Sequence, residues 1–248
     1  MRVGILGSGL MGGKLGTIFA RAGHQVVFSY ARSEQKLKTL ARNAKGNATH
    51  GTPHEAALEA DAVLLAVHWS RVQDVLNQAG NPPGKVVVTC SLPMNDPNTD
   101  LVIGHTSSGA EELQRKIPKA HVVAAFNTVP SEVLFGVYEA RRRGSRPSLV
   151  YCGDRAAGKE VAAELIRDAG FEPVDAGPLR VARYIEPFAL LIGELAYGGA
   201  GGPELAYRFE RYGQRTGSRP TPLYLFASRT CESLIHRPPR RRTARSAN

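Results

Sequence analysis

The sequence predicts an α/β protein built on a doubly wound parallel sheet, with a small C-terminal α/β annex and a basic tail expected to be disordered. Three observations carry that prediction. Short apolar runs alternate with helical patterns along residues 2–126, the rhythm of βαβ units with right-handed crossovers. Gly7, Gly9 and Gly12 form G-x-G-x-x-G directly after the first apolar run and at the opening of the first helical pattern. The basic excess sits at one end: residues 208–248 hold ten Arg, no Lys and two acids, which is +8 of the net +10. The first two observations together define a Rossmann-type sheet.

Each element follows from local chemistry. RVGIL at 2–6 is uniformly apolar after its first residue, as a buried parallel strand is, and stops at Gly7. LMGGKLGTIFARA at 10–22 is helical and Gly23 closes it. QVVFSY at 25–30 is the second strand, and 33–44 the second helix, with Ser33 as its N-cap. Residues 53–60 form a short helix with Pro53 in its first turn. DAVLLAV (61–67), the helix SRVQDVLNQAG and KVVVTC (85–90) continue the alternation, followed by the helix at 108–117 and HVVAAF at 121–126. A short helix, PSEVLFG, leads into a second α/β stretch: SLVYCG (148–153), a helix over 155–170 and EPVDAG (172–177). Residues 180–197 read as a largely buried helix that Pro187 should kink, and GGAGGPEL (198–205) as a hinge or loop. The domain expectation is therefore a dinucleotide-binding domain at 1–130, a small α/β domain at 131–212, and an Arg-rich, partly disordered tail at 213–248.

Composition excludes several classes. Apolar residues make up 42% and charged residues 22%, ordinary values for a globular chain, and no run reaches the roughly 18–20 apolar residues of a membrane span. Met1-Arg2 runs straight into a strand without a secretory pattern, so a cytoplasmic location and no membrane partner are expected. Cys90, Cys152 and Cys231 have no C-x-x-C spacing and read as core-filling thiols. His50, His54, His105, His121 and His236 show no ligand spacing, so no metal is expected. Outside the tail the chain is nearly neutral, which argues against specific nucleic-acid binding.

The glycine loop gives the first functional residues. Gly7 makes the tight turn, Gly9 lets a pyrophosphate approach, and Gly12 allows close helix–strand packing; Ser8, Leu10 and Met11 fill the remainder of the loop. The helix N-terminus then offers free N–H groups to the diphosphate. The second strand ends Ser29-Tyr30-Ala31-Arg32-Ser33, without the acid that would take an NAD ribose. Hydroxyls and a guanidinium suit a 2′-phosphate, so Ser29, Arg32, Ser33 and Lys36 are candidate ligands and NADP(H) the expected nucleotide. His68 and Trp69 follow another strand end, where ligands of open α/β sheets bind, and the indole could wall off the nicotinamide. Asn127 and Thr128 stand at the end of HVVAAF with Pro130 beyond, placed to meet the reacting rings or to cap the next helix. Asp175 is expected to organise its own turn through an Asx bond, and SLPMND (91–96) to approach a second substrate. Glu186, an acid among apolar neighbours, is expected to enter an ion pair with Arg180 or a cleft group.

These stretches, GSGLMGGKLG, VLLAVHW, AFNTVP, YCGD and DAGPL with its following AR…E, resemble the F420-dependent NADP oxidoreductase family over about residues 1–210. The resemblance implies a Rossmann domain with a C-terminal α/β annex, and direct hydride transfer between NADP(H) and the deazaflavin F420 stacked face to face in a cleft. It implies that Ala66–Trp69 line the ribose and nicotinamide side and that Asn127–Pro130 sit close to the rings. F420 or another flavin-like ring is the implied acceptor; Asn127 stands where archaeal members carry a His, which keeps a hydrogen-bond donor but no titratable group, and relatives with Asn there need not use F420. A homodimer is expected, because such clefts often close by dimerisation. Two rival functions are an NADPH-dependent reductase of a small imine or ketone and a non-catalytic NADP(H) sensor. Hydride transfer needs positioning more than an acid or base, and no certain catalytic residue is read from the sequence.

Overall fold

The computed structural model describes residues 1–212, so the predicted tail, Cys231 and His236 lie outside the described residues. β1 (Arg2–Leu6), β2 (Gln25–Ser29) and β3 (Ala48–His50) pair in parallel, and β1 also pairs in parallel with β4 (Ala62–Leu65). β5 (Val86–Thr89) and β6 (His121–Ala124) extend the parallel series. The sheet order begins β3-β2-β1-β4-β5-β6, which reverses between β1 and β4 and opens a crevice beyond their carboxyl ends. β3 was missing from the sequence prediction because its three residues, ATH, are neither strongly apolar nor long enough to show a period.

The strands of the small α/β stretch expected at 131–212 extend this same sheet. β7 (Ser148–Gly153) is buried at all six positions and pairs antiparallel with β6 through Val123–Gly153 and Ala124–Cys152. β8 (Glu172–Asp175) pairs in parallel with β7. Met1–Phe209 therefore form one compact unit. Sequence pattern registered the strands, but only the tertiary register joins them to β6.

Two cores lie on opposite faces of the sheet. α1 (Leu10–Arg21), α2 (Glu34–Ala44), α6 (Val133–Ala140) and α7 (Ala156–Asp168) bury Leu15, Phe19, Leu37, Leu134 and Ile166 against one face. α3 (Pro53–Leu58), α4 (Val72–Ala79), α5 (Gly109–Lys116) and α8 (Ala182–Gly193) bury Ala56, Leu76, Leu113 and Ile185 on the other. α2 starts at Glu34 with Ser33 as its cap, as predicted. The predicted 180–197 helix is three pieces: a 3₁₀ turn at Leu179–Val181, α8 with Pro187 inside it, and a π-helical turn at Glu194–Gly198. Among the described residues no helix is long and apolar enough to cross a membrane.

Beyond the π turn the chain returns along the first half of β7, on the side where β6 pairs only with Cys152 and Gly153. The Ser148 N–H donates to the Tyr207 carbonyl (2.8 Å) and the Phe209 N–H to Ser148 Oγ (2.9 Å). The Tyr207 ring packs edge-on to Phe188 and Phe209. Its hydroxyl accepts from the Val150 N–H (3.1 Å) and shares a hydrogen bond with Thr128 Oγ1 (2.7 Å). A Tyr207→Phe variant is therefore expected to lose about 1–3 kcal/mol in urea unfolding, because two polar groups then lack a partner. A loss under about 0.5 kcal/mol would mean that water replaces the phenol.

Candidate active site

Gly7 ends β1 with φ +111°, a left-handed conformation that lets its N–H reach the Ser29 carbonyl (3.2 Å). Ser8 follows, buried, its N–H on the Tyr30 carbonyl (3.1 Å) and its hydroxyl on the Ser29 carbonyl (2.8 Å). The loop is thereby sewn to β2. Gly9 is the N-cap of α1 and supplies no side-chain cap. A Cβ added there would meet nothing within 4 Å, whereas one on Gly12 would collide with the Gly7 carbonyl oxygen. The uncapped first turn of α1, with its positive dipole end, thus faces open space suited to a diphosphate. Ala66 and Val67 flank this loop, since a Cβ on Gly7 would strike the Ala66 carbonyl and Val67 Cγ1.

At the β2 end the residues divide. Ser29 is fully buried and its hydroxyl donates to the Ile5 carbonyl (2.7 Å), so it braces β2 on β1 and does not fit the phosphate role expected of it. Ser33 accepts from the Lys36 N–H (3.3 Å) as the α2 cap. Arg32 and Lys36 are exposed beside it. Tyr30, which sequence reasoning passed over, takes φ +56° and donates its hydroxyl to Asp74 Oδ2 in the first turn of α4. Burial and then Asp74 push that hydroxyl up to about 12, with the Arg71 charge pulling the other way.

On the other side of the glycine loop lies a cavity of about 460 Å³. Leu10 and Met11 form one wall, Leu92 and Met94 another, and Asn127–Ser131 with the inner face of α8 the remainder. The SLPMND stretch lines this cavity through Leu92 and Met94. The walls are mostly apolar, and Asn127 Oδ1 is buried there without a hydrogen-bond partner among the described residues. A buried amide oxygen so placed is set to accept from a ligand donor. Cys90 also lines the cavity; burial pushes its thiol up to about 12, so it acts as an apolar wall and not as a nucleophile.

At the cavity mouth, Lys14 Nζ donates to the Ser131 carbonyl (2.9 Å), Ser131 Oγ to Glu132, and the Tyr197 hydroxyl to Glu132 Oε2 (2.9 Å). This chain ties α1 to the β6 end and the π turn. Tyr197 had no signal in the sequence, because a π turn has no period of its own.

Several predicted site residues serve the scaffold. The Thr128 hydroxyl is engaged by Tyr207, although the residue does line the cavity. Neither Asn127 nor Thr128 caps α6, which begins after Glu132 without a side-chain cap. His68 caps the 3₁₀ turn Trp69–Arg71: its Nδ1 accepts from the Ser70 N–H, which leaves Nε2–H to donate to the Asn95 carbonyl (3.3 Å). Trp69 does not line the cavity; it packs, half-buried, against the core on the α3, α4, α5 and α8 face of the sheet. Asp175 makes the expected Asx bond to the Gly177 N–H (2.9 Å) and also holds Lys159 (2.8 Å).

Glu186 corrects the ion-pair expectation. Its two oxygens accept from the Gly109 and Ala110 N–H groups (2.9 and 3.0 Å), so it caps the N-terminus of α5 from α8. Burial pushes its carboxyl up to about 7 against the pull of those two donors. Arg183 instead forks onto both oxygens of Glu111 (2.8 and 2.7 Å).

Comparison with known proteins agrees with this geometry. The chain is 30% identical over 189 residues to metalloreductase STEAP3 of Rattus norvegicus, covering 76% of this chain and 36% of that protein. It spans about a third of the length of the curated relatives it matches. A solved structure from Arthrobacter sp. FB24, proposed to be an F420-dependent NADP-reductase, superposes with TM-score 0.74 at 23% identity, over 85% of this chain and all of that one. A hypothetical protein from Sinorhizobium meliloti superposes at 0.67 with 25% identity, over 85% of this chain and 96% of its own. Across residues 2–93, from β1 past β5 and including the glycine loop, the chain matches the model of the family described as NADP oxidoreductase, coenzyme F420-dependent.

Proposed function

We propose that the protein is an NADP(H)-dependent oxidoreductase that exchanges a hydride between NADP(H) and a deazaflavin (F420) or flavin-like ring. One observation carries this reading: the nucleotide-binding loop and the apolar cavity share a wall, Leu10 and Met11. A nicotinamide nucleotide whose diphosphate rests on α1 has its reactive end directed toward that cavity, and a planar apolar ring is the acceptor such walls suit. The family description and the relatives named metalloreductase support reduction as the chemistry.

The chain's own residues would divide the work. Gly9–Gly12 hold the diphosphate, Ser8 being spent on the β2 backbone; Arg32, Ser33 and Lys36 hold the 2′-phosphate, and Asn127 Oδ1 accepts from an amide or ring N–H in the cleft. Leu92, Met94 and Leu190 exclude water and press the reactants together, which is the main requirement of hydride transfer. Bound there, NADPH supplies the hydride, and the accepting ring takes it with one proton from solvent.

Titration calorimetry with NADPH and NADH, followed by stopped-flow mixing of the NADPH complex with F420 and with FMN, tests the proposal. Wild type is expected to prefer NADPH, and Arg32→Ala to weaken NADPH by roughly 10-fold or more, since a charge-assisted phosphate contact contributes about 1.5–3 kcal/mol. Loss of NADPH absorbance on mixing with F420 or FMN supports the acceptor class. Tight NADPH binding with neither ring reduced would overturn the acceptor and leave a sensor or another substrate.

A further inference from the structure

A second arginine stands at the adenosine end, on an element that no phosphate motif marks. Arg71 closes the 3₁₀ turn after β4 and is the N-cap residue of α4, one turn before Asp74. Residues three apart on a helix share a face, so the guanidinium stem and the Asp74 carboxylate point to the same side. That side is the β2 end, because Asp74 receives the Tyr30 hydroxyl. β2 and β4 flank β1 in the sheet, so the Tyr30–Asp74 bond spans the crevice beside the glycine loop.

The nearby acids are already committed. Asp74 takes Tyr30 and Gln78 (3.1 Å), and Glu34 takes Lys38 (2.7 Å). Arg71 and Arg32 are both exposed, and neither guanidinium forms a hydrogen bond or salt bridge among the described residues. Two uncommitted guanidiniums therefore stand on the two lips of one crevice, a fork-shaped donor set for an anion with several oxygens.

We propose that Arg71 is a specificity-determining residue that grips the nucleotide 2′-phosphate from the β4 side while Arg32 grips it from the β2 side, with Tyr30 and Asp74 positioning the α4 lip. This rests on the NADP(H) reading above. Asp74, left alone, would repel a phosphate; the Tyr30 hydroxyl and the Arg71 charge hold it in check.

The test is calorimetry on the full chain with four probes: NADPH, NADH, adenosine 2′,5′-bisphosphate and 5′-AMP. Wild type, Arg71→Ala, Arg71→Lys and Arg32→Ala are compared, with circular dichroism to verify folding. Arg71→Ala is expected to weaken NADPH and the bisphosphate roughly 10-fold or more, the size of a lost charged hydrogen bond, and NADH and 5′-AMP less than 3-fold. Arg71→Lys should recover part of the loss. Equal weakening of all four probes, or no weakening, overturns the Arg71 assignment. If wild type itself shows no preference for the 2′-phosphate probes, the NADP(H) reading fails with it. If the preference survives Arg71→Ala but not Arg32→Ala, only the Arg71 assignment falls.

Discussion

A Gly9→Ala variant is expected to melt within a few degrees of wild type and to lose NADPH affinity by roughly 100-fold, about 2.7 kcal/mol. The two halves of that result have separate causes. Gly9 is extended with a negative φ (φ −77°, ψ −152°), outside the left-handed region, and its Cβ would enter open space, so the fold is expected to tolerate it. The open space is where the diphosphate is proposed to lie, so the ligand does not. Gly12→Ala should behave in the opposite order. Its Cβ would collide with the Gly7 carbonyl oxygen, a backbone atom held by the β1–β2 stitching, and overpacking of that kind costs about 1–3 kcal/mol or more. Thermal melts of both variants beside NADPH titrations separate fold from site. Unimpaired nucleotide binding in Gly9→Ala would show that the phosphates lie elsewhere.

Glu186 gives the second large effect, and it is one of stability. Glu186→Leu strands two buried N–H groups at the start of α5 and is expected to cost roughly 2–4 kcal/mol in urea unfolding. The wild-type side chain also carries a pH signature. Its folded value of about 7 lies above the ordinary carboxylate value, so between about 4.5 and 7 the folded state binds the proton more tightly than the unfolded chain. The contribution of this group to stability is thus full below that window and declines as pH rises through it, levelling off above about 7. Glu186→Gln should remove that component, and unfolding curves of both proteins from pH 5 to 8 measure it as a difference. Parallel pH profiles would mean that the carboxylate keeps enough solvent to titrate normally.

The sequence by itself determined the parallel α/β alternation and the glycine loop, because both are local. Strand runs, the 3.6-residue period and G-x-G-x-x-G are each written within a dozen residues, and their backbone consequences follow without any distant partner. It also located the cleft segments at strand ends, since in an open parallel sheet those ends are where ligands go. What it could not assign was the task of each polar side chain. Ser29 and Arg32 look equally suited to phosphate on paper, yet one is spent on Ile5 inside the sheet and the other stands in solvent. Thr128 is claimed by Tyr207, 79 residues away, and Glu186 by a helix start 76 and 77 residues away. The Tyr30–Asp74 bond likewise joins residues 44 apart. A hydrogen-bonding group is satisfied by whichever partner the packed chain brings within about 3 Å, and in a parallel sheet each neighbour strand arrives only after a full crossover. Local pattern therefore decided the alternation of strands and helices, and tertiary packing decided which polar groups brace the scaffold and which, the Arg32 and Arg71 guanidiniums and Asn127 Oδ1 among them, have no partner among the described residues.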